Sequence, residues 1–116
     1  MTIGQIRDIL DAEMYRGEDH LNTEVNSACG SDLMSDVLAF VKDQAVLLTG
    51  LVNPQVIRTA EMMDMICVVF VRGKVPGEDI IALAKDCGIA LLSTKRRMYN
   101  ACGLLYERGL RGQDTV

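Results

Sequence analysis

ICVVFV, residues Ile66–Val71, is a run of six apolar side chains with no polar residue at alternate positions. A strand with one wetted face would alternate. A short continuous run suits a strand covered on both faces, as in a parallel sheet. Two further runs share this character: AVLLT (45–49) upstream and IALLS (89–93) downstream. Helical patterns follow each of the three. Asn53 is placed to cap a helix that starts at Pro54, with Val56, Ile57, Ala60 and Met63 along one side. Pro76 opens a second helix, where Glu78 and Asp79 complement the positive end of the dipole. Its stripe is Ile80, Ile81, Ala84 and Cys87, and Gly88 stops it. A third helix runs from about Lys95 to Arg108, with Met98, Ala101, Cys102 and Leu105 inward and Gly109 as terminator. Residues 45–108 thus give strand, helix, strand, helix, strand, helix. That is the repeat of a parallel α/β layer with right-handed crossovers.

The N-terminal part is less regular. Thr2 and Gln5 make a capping box for a short helix bearing Ile3, Ile6 and Leu10. The polar stretch EMYRGEDHLNTEV, broken by Gly17, reads as a loop or hairpin, and EVNSA (24–28) as a fourth strand. CGSDLMSDVLAF (Cys29–Phe40) then leads into a helix with Leu33, Met34, Val37, Leu38 and Val41 inward. The tail RGQDTV is expected to fray. The expected fold is therefore α/β: a layered, largely parallel sheet of about four strands flanked by helices, in one domain over residues 1–116.

Composition narrows the function classes. Hydrophobic residues make up 49% of the chain, which argues against disorder; aromatics make up only 4%, so the core is aliphatic and methionine-rich. The net charge of −4 opposes nucleic-acid binding, which phosphate neutralisation drives. No apolar run approaches a membrane span, and MTIGQIRDIL is neither a signal nor a transit peptide. A cytoplasmic protein is the expectation. Cys29, Cys67, Cys87 and Cys102 contain no C-x-x-C pair, which leaves buried, reduced thiols rather than a zinc ribbon. Cys29, in an expected loop, is the one candidate for thiol reactivity.

The candidate site residues all follow strands. Ser31 and Asp32 can cap and complement a helix start; the alternative is a turn in which Gly30 and free N–H groups hold a ligand. Ser93 and Thr94 end the last strand and run into Lys95, Arg96 and Arg97. That places three cations near a helix N-terminus, where the dipole disfavours them. A bound phosphate, a partner's carboxylates, or the chain's own acids could compensate. Thr49-Gly50 and Gly73 follow the other two apolar runs. In an open parallel sheet, ligands bind beyond the carboxyl ends of the strands, so these loops mark one candidate pocket. Enzyme motifs are absent. There is no G-x-x-x-x-G-K-[ST] and no G-x-G-x-x-G, and the sole histidine, His20, lies in a polar segment. No catalytic residue, metal ligand or cofactor is assigned.

From about Ile3 to Leu110 the chain resembles a DRTGG domain in stand-alone form. The resemblance is carried by GSDLMSDVLA, by VLLTGLVNPQVIRTAEMMDMICVVFVRGKVP, and by IALLSTKRRMYNACGLLYERG. The letters that name the family do not occur in order here. Asn53-Pro54 stands where an Asp-Arg pair is expected, and only Gly73 matches a glycine pair. The resemblance implies a regulatory or ligand-sensing module of the kind that accompanies phosphotransacetylases and nucleotide-responsive pyrophosphatases. It also implies a fold similar to the N-terminal regions of HPr kinase and the Mur ligases. The missing phosphate-binding loop excludes kinase activity.

The leading expectation is a non-enzymatic homodimer that senses a nucleotide-like small molecule through Ser31, Asp32, Thr49, Gly50, Gly73, Ser93, Thr94, Arg96 and Arg97. The alternatives are a module that docks an acidic protein partner without any ligand, and a small enzyme using a metal at Asp32 and Asp36.

Overall fold

The computed structural model describes residues 1–113. The chain forms α1 (Ile3–Leu10), β1 (Glu13–Arg16), a single 3-10 turn at Glu18–His20, β2 (Ser27–Gly30) and α2 (Met34–Val37). It continues with β3 (Ala45–Thr49), α3 (Pro54–Met62), β4 (Cys67–Phe70), α4 (Glu78–Cys87), β5 (Ala90–Ser93) and α5 (Met98–Glu107). The five strands make one sheet in the order β1-β5-β4-β3-β2. Strands β2 to β5 are parallel, with Ala45 opposite Ser27, Val46 opposite Cys67, and Cys67 opposite Ala90. Strand β1 pairs antiparallel with β5, Glu13 opposite Ser93.

Every residue of β3, β4 and β5 is buried, as continuous apolar runs require. Successive side chains go to opposite faces. Val46, Leu48, Val69 and Leu92 pack with Ile6 of α1 and Leu105 of α5. Leu47, Val68, Phe70 and Leu91 pack with Ile57 of α3 and Ala84 of α4. Each such fully buried side chain contributes about 1.5–3 kcal/mol of transfer free energy.

The helix starts follow the sequence chemistry. Thr2 and Gln5 close the capping box, with Gln5 N–H to Thr2 Oγ1 at 3.1 Å and Thr2 N–H to Gln5 Oε1 at 2.8 Å. Asn53 Oδ1 accepts from Val56 N–H at 3.2 Å, ahead of Pro54 in the first turn of α3. Gly88 ends α4 in the left-handed conformation, φ 71°.

Several expectations are corrected. The segment read as a loop or hairpin contains β1, so the sheet has five strands rather than about four, one of them antiparallel. β2 lies at 27–30 rather than 24–28, because Val25 N–H is bound to Met1 O and only the following residues reach β3. α2 is a single turn. Val37 is buried, but Leu33, Leu38 and Val41 are exposed. α5 begins at Met98 rather than near Lys95.

The start of the tail is also pinned rather than frayed. Ala28 N–H donates to Arg111 O at 3.0 Å. The Gln113 side-chain amide pairs with both backbone groups of Val41, at 2.8 and 2.9 Å. The rest of that tail, Asp114, Thr115 and Val116, lies outside the described residues. Among the described residues no helix is long and apolar enough to cross a membrane.

Candidate functional site

The parallel register brings the loops after β2, β3, β4 and β5 to one rim of the sheet. Because β1 is antiparallel, its first residue, Glu13, and the end of α1 arrive at the same rim. The nine sequence-predicted residues all lie along this rim, eight of them in two groups and Arg97 apart from both.

The first group is a hydrogen-bonded unit between the β2 and β3 loops. Asp32 Oδ1 accepts from Gly50 N–H at 2.6 Å and from Thr49 Oγ1 at 3.1 Å. Ser31 N–H donates to Leu48 O at 3.0 Å, and Ser31 Oγ accepts from Leu33 N–H at 3.0 Å. Ser31 and Asp32 therefore act within the fold: one turns the chain, the other ties two loops together.

The second group surrounds a cavity of about 540 Å³ at the β4–β5–β1 end. Gly73, Ser93, Thr94 and Arg96 line it; Ser31, Asp32, Thr49, Gly50 and Arg97 do not. Lys95 adds a second cation to the lining, Asp11 and Glu13 add two carboxylates, and Leu10, Tyr15 and Val75 add apolar surface. The walls are firmly held. Residues 71–74 make a turn closed by Lys74 N–H to Val71 O at 3.2 Å, with Arg72 and Gly73 both left-handed at φ 60° and 70°. Arg72 N–H donates to Arg96 O at 2.8 Å, and Gly73 N–H to Thr94 O at 2.9 Å. Ser93 Oγ donates to Lys74 O at 2.5 Å, and the buried Thr94 hydroxyl to Leu10 O at 2.8 Å. Three chain segments, residues 71–74, residues 93–96 and the end of α1, are thereby joined around one opening.

Arg72 connects the two groups. Its guanidinium lies against the Cα of Gly50, where any added Cβ would collide with it. Arg97, by contrast, heads α5 as its N-cap residue, and no side-chain acceptor caps that helix.

The rim is basic although the chain is acidic. Arg72, Lys74, Lys95, Arg96 and Arg97 are five of the chain's twelve Lys and Arg residues, and all are exposed. Among the described residues none of the five has a carboxylate within 4.0 Å, so none makes a direct ion pair, although Asp11 and Glu13 share the cavity with Lys95 and Arg96. Tyr15 Oη donates to Glu13 Oε2 at 3.2 Å; partial burial and that carboxylate push the phenol above its usual range.

Cys29 lies in β2 rather than in a loop. Partial burial, then Cys102 and Asp36 nearby, push its thiol up, which removes the reason to single it out. Cys67 is buried, and desolvation raises its thiol far above the usual value. Among the described residues no three His, Cys, Asp or Glu side chains are grouped to hold a metal ion.

Asp11, Glu13, Tyr15, Arg72 and Val75 were missed by the sequence reading. The first three needed β1, whose EMYR lacks the apolar run of the central strands. Arg72 needed the left-handed turn, which a non-glycine residue does not announce.

No family model matches the chain, and no curated protein matches its sequence. The fold does have a solved counterpart. It is similar to the CBS and DRTGG domains of the regulatory region of Clostridium perfringens pyrophosphatase, complexed with the activator diadenosine tetraphosphate. The TM-score is 0.68 over 90% of this chain, at 17% identity, and the match spans 45% of that chain. At that identity the likeness is one of fold.

Proposed function

We propose that this chain is a DRTGG-like, non-enzymatic regulatory module that senses a nucleotide-like small molecule at the strand-end rim. The observation that carries this reading is the cavity at the β4–β5–β1 end, where Lys95 and Arg96 are exposed and make no ion pair among the described residues while the walls are cross-tied. An anion entering there gains charge-assisted hydrogen bonds without first having to order the loops. The fold likeness to a regulatory region complexed with a nucleotide activator supports the same assignment. Sensing rather than turnover fits the absence of a phosphate-binding loop in the sequence.

Thermal unfolding with millimolar adenine nucleotides tests the proposal. A ligand present at a hundred times its Kd stabilises by about 2.7 kcal/mol, which raises the melting temperature by several degrees. The shift is expected in the wild type and lost in Arg96→Ala. No shift with any nucleotide or phosphorylated metabolite would overturn it.

A second reading draws on Arg97, which is exposed and outside the cavity. It assigns the head of α5 to an acidic protein partner. Arg97→Glu would then abolish partner capture and leave nucleotide binding unchanged; capture that survives the reversal removes this reading.

A further inference from the structure

We propose that the rim cavity is oriented: Tyr15, Val75, Asp11 and Glu13 take the nucleoside end of the ligand, and Lys95 and Arg96 take its phosphates. The inference rests on the anion-binding reading above and adds which end of the molecule goes where.

The cavity's lining carries both signs of charge, from different segments. Lys95 and Arg96 come from the loop after β5, whereas Asp11 follows α1 and Glu13 is the first residue of β1. A bare phosphate chain filling the space would meet both cations and both carboxylates, and like charges repel at short range. A nucleotide carries the matching division within one molecule. Its phosphates are anionic, while ribose hydroxyls and base N–H groups are donors suited to carboxylate acceptors.

The apolar side points the same way. Val75 is 55% exposed and lies on the cavity wall. Tyr15 is the one aromatic residue in the lining, in a chain with only five Tyr and Phe in total. An aromatic ring offers a stacking surface to any base, since every base has a π-face. The hydrogen bond from Tyr15 Oη to Glu13 links the stacking residue to an acceptor on the same strand. The volume, about 540 Å³, falls within the roughly 300–1,000 Å³ usual for small-molecule sites.

Two probes separate orientation from mere anion binding: ATP and inorganic tripolyphosphate, each titrated by calorimetry into the full chain. Tyr15→Leu is expected to weaken ATP about tenfold while changing tripolyphosphate less than about twofold, the loss of one base stack. Tyr15→Phe, which keeps the ring, is expected to retain ATP binding. Glu13→Gln should weaken ATP and strengthen tripolyphosphate, because a repelling charge is gone. Arg96→Ala should weaken both. Equal losses of the two probes in Tyr15→Leu, or no loss of either, overturn the nucleoside pocket and leave the anion site standing. Failure of the wild type to bind either probe overturns the underlying reading as well.

Discussion

Asp32 shows how a residue's type can be legible while its job is not. Its place after Ser31 and before an apolar pattern suits it to complement a helix dipole, yet its carboxylate reaches across to Gly50 and Thr49. Nothing local encodes that partner, which lies 18 positions along the chain. Asp43 plays a comparable part at the opposite end of the sheet. The Ser27 hydroxyl, at 2.6 Å, holds its carboxyl below the usual range, helped by Asn26 and the Gln44 N–H and opposed by partial burial. A depressed folded value means that the ionised form stabilises the fold. That stabilisation is fully present above the unfolded value near pH 3.9 and is lost as pH falls through the folded value. Asp43→Ala is therefore expected to melt below the wild type at pH 7, with the gap closing as the pH drops below about 4. Melting curves showing a gap independent of pH would contradict this.

At the scale of elements, β3, β4 and β5 were legible because burial on both faces removes polar alternation, a pattern no other short element shares. Helices α1, α3 and α4 were legible through their caps and stripes. β1 was not: an edge strand of four residues with Glu and Arg at its ends looks like a loop until β5 is beside it. α2 failed in the other direction. LMSDVL has helical spacing, but Val37 alone is buried there, and the chain unwinds into a segment secured from outside by Gln113. Gln113→Ala should therefore speed amide hydrogen exchange at Val41, while the β3 amides stay protected. Unchanged exchange at Val41 would show that the amide pair contributes nothing to holding this segment. The candidate site followed the same division. The strand-end loops were legible from the parallel pattern, whereas the acidic and aromatic wall depended on β1.

For the whole molecule, the homodimer expected from the sequence is a proposal, and the outer face of α5 is the surface we propose for it. Tyr99 is 88% exposed and Tyr106 57% exposed, two turns apart on one helix, with Gly103 between them facing open space. Light scattering is expected to give twice the 12.8 kDa chain mass, reverting to the single mass in Tyr99→Ser/Tyr106→Ser. A wild-type mass near 12.8 kDa would dismiss the dimer. The pinned residues 111–113 favour a helical surface for assembly. They run along the outer side of β2 and occupy an amide that would otherwise recruit a strand, while β1 closes the far margin with a short, irregular, charged strand. Both borders of the sheet are blunted in this way, which works against strand-by-strand addition when copies of the chain are crowded.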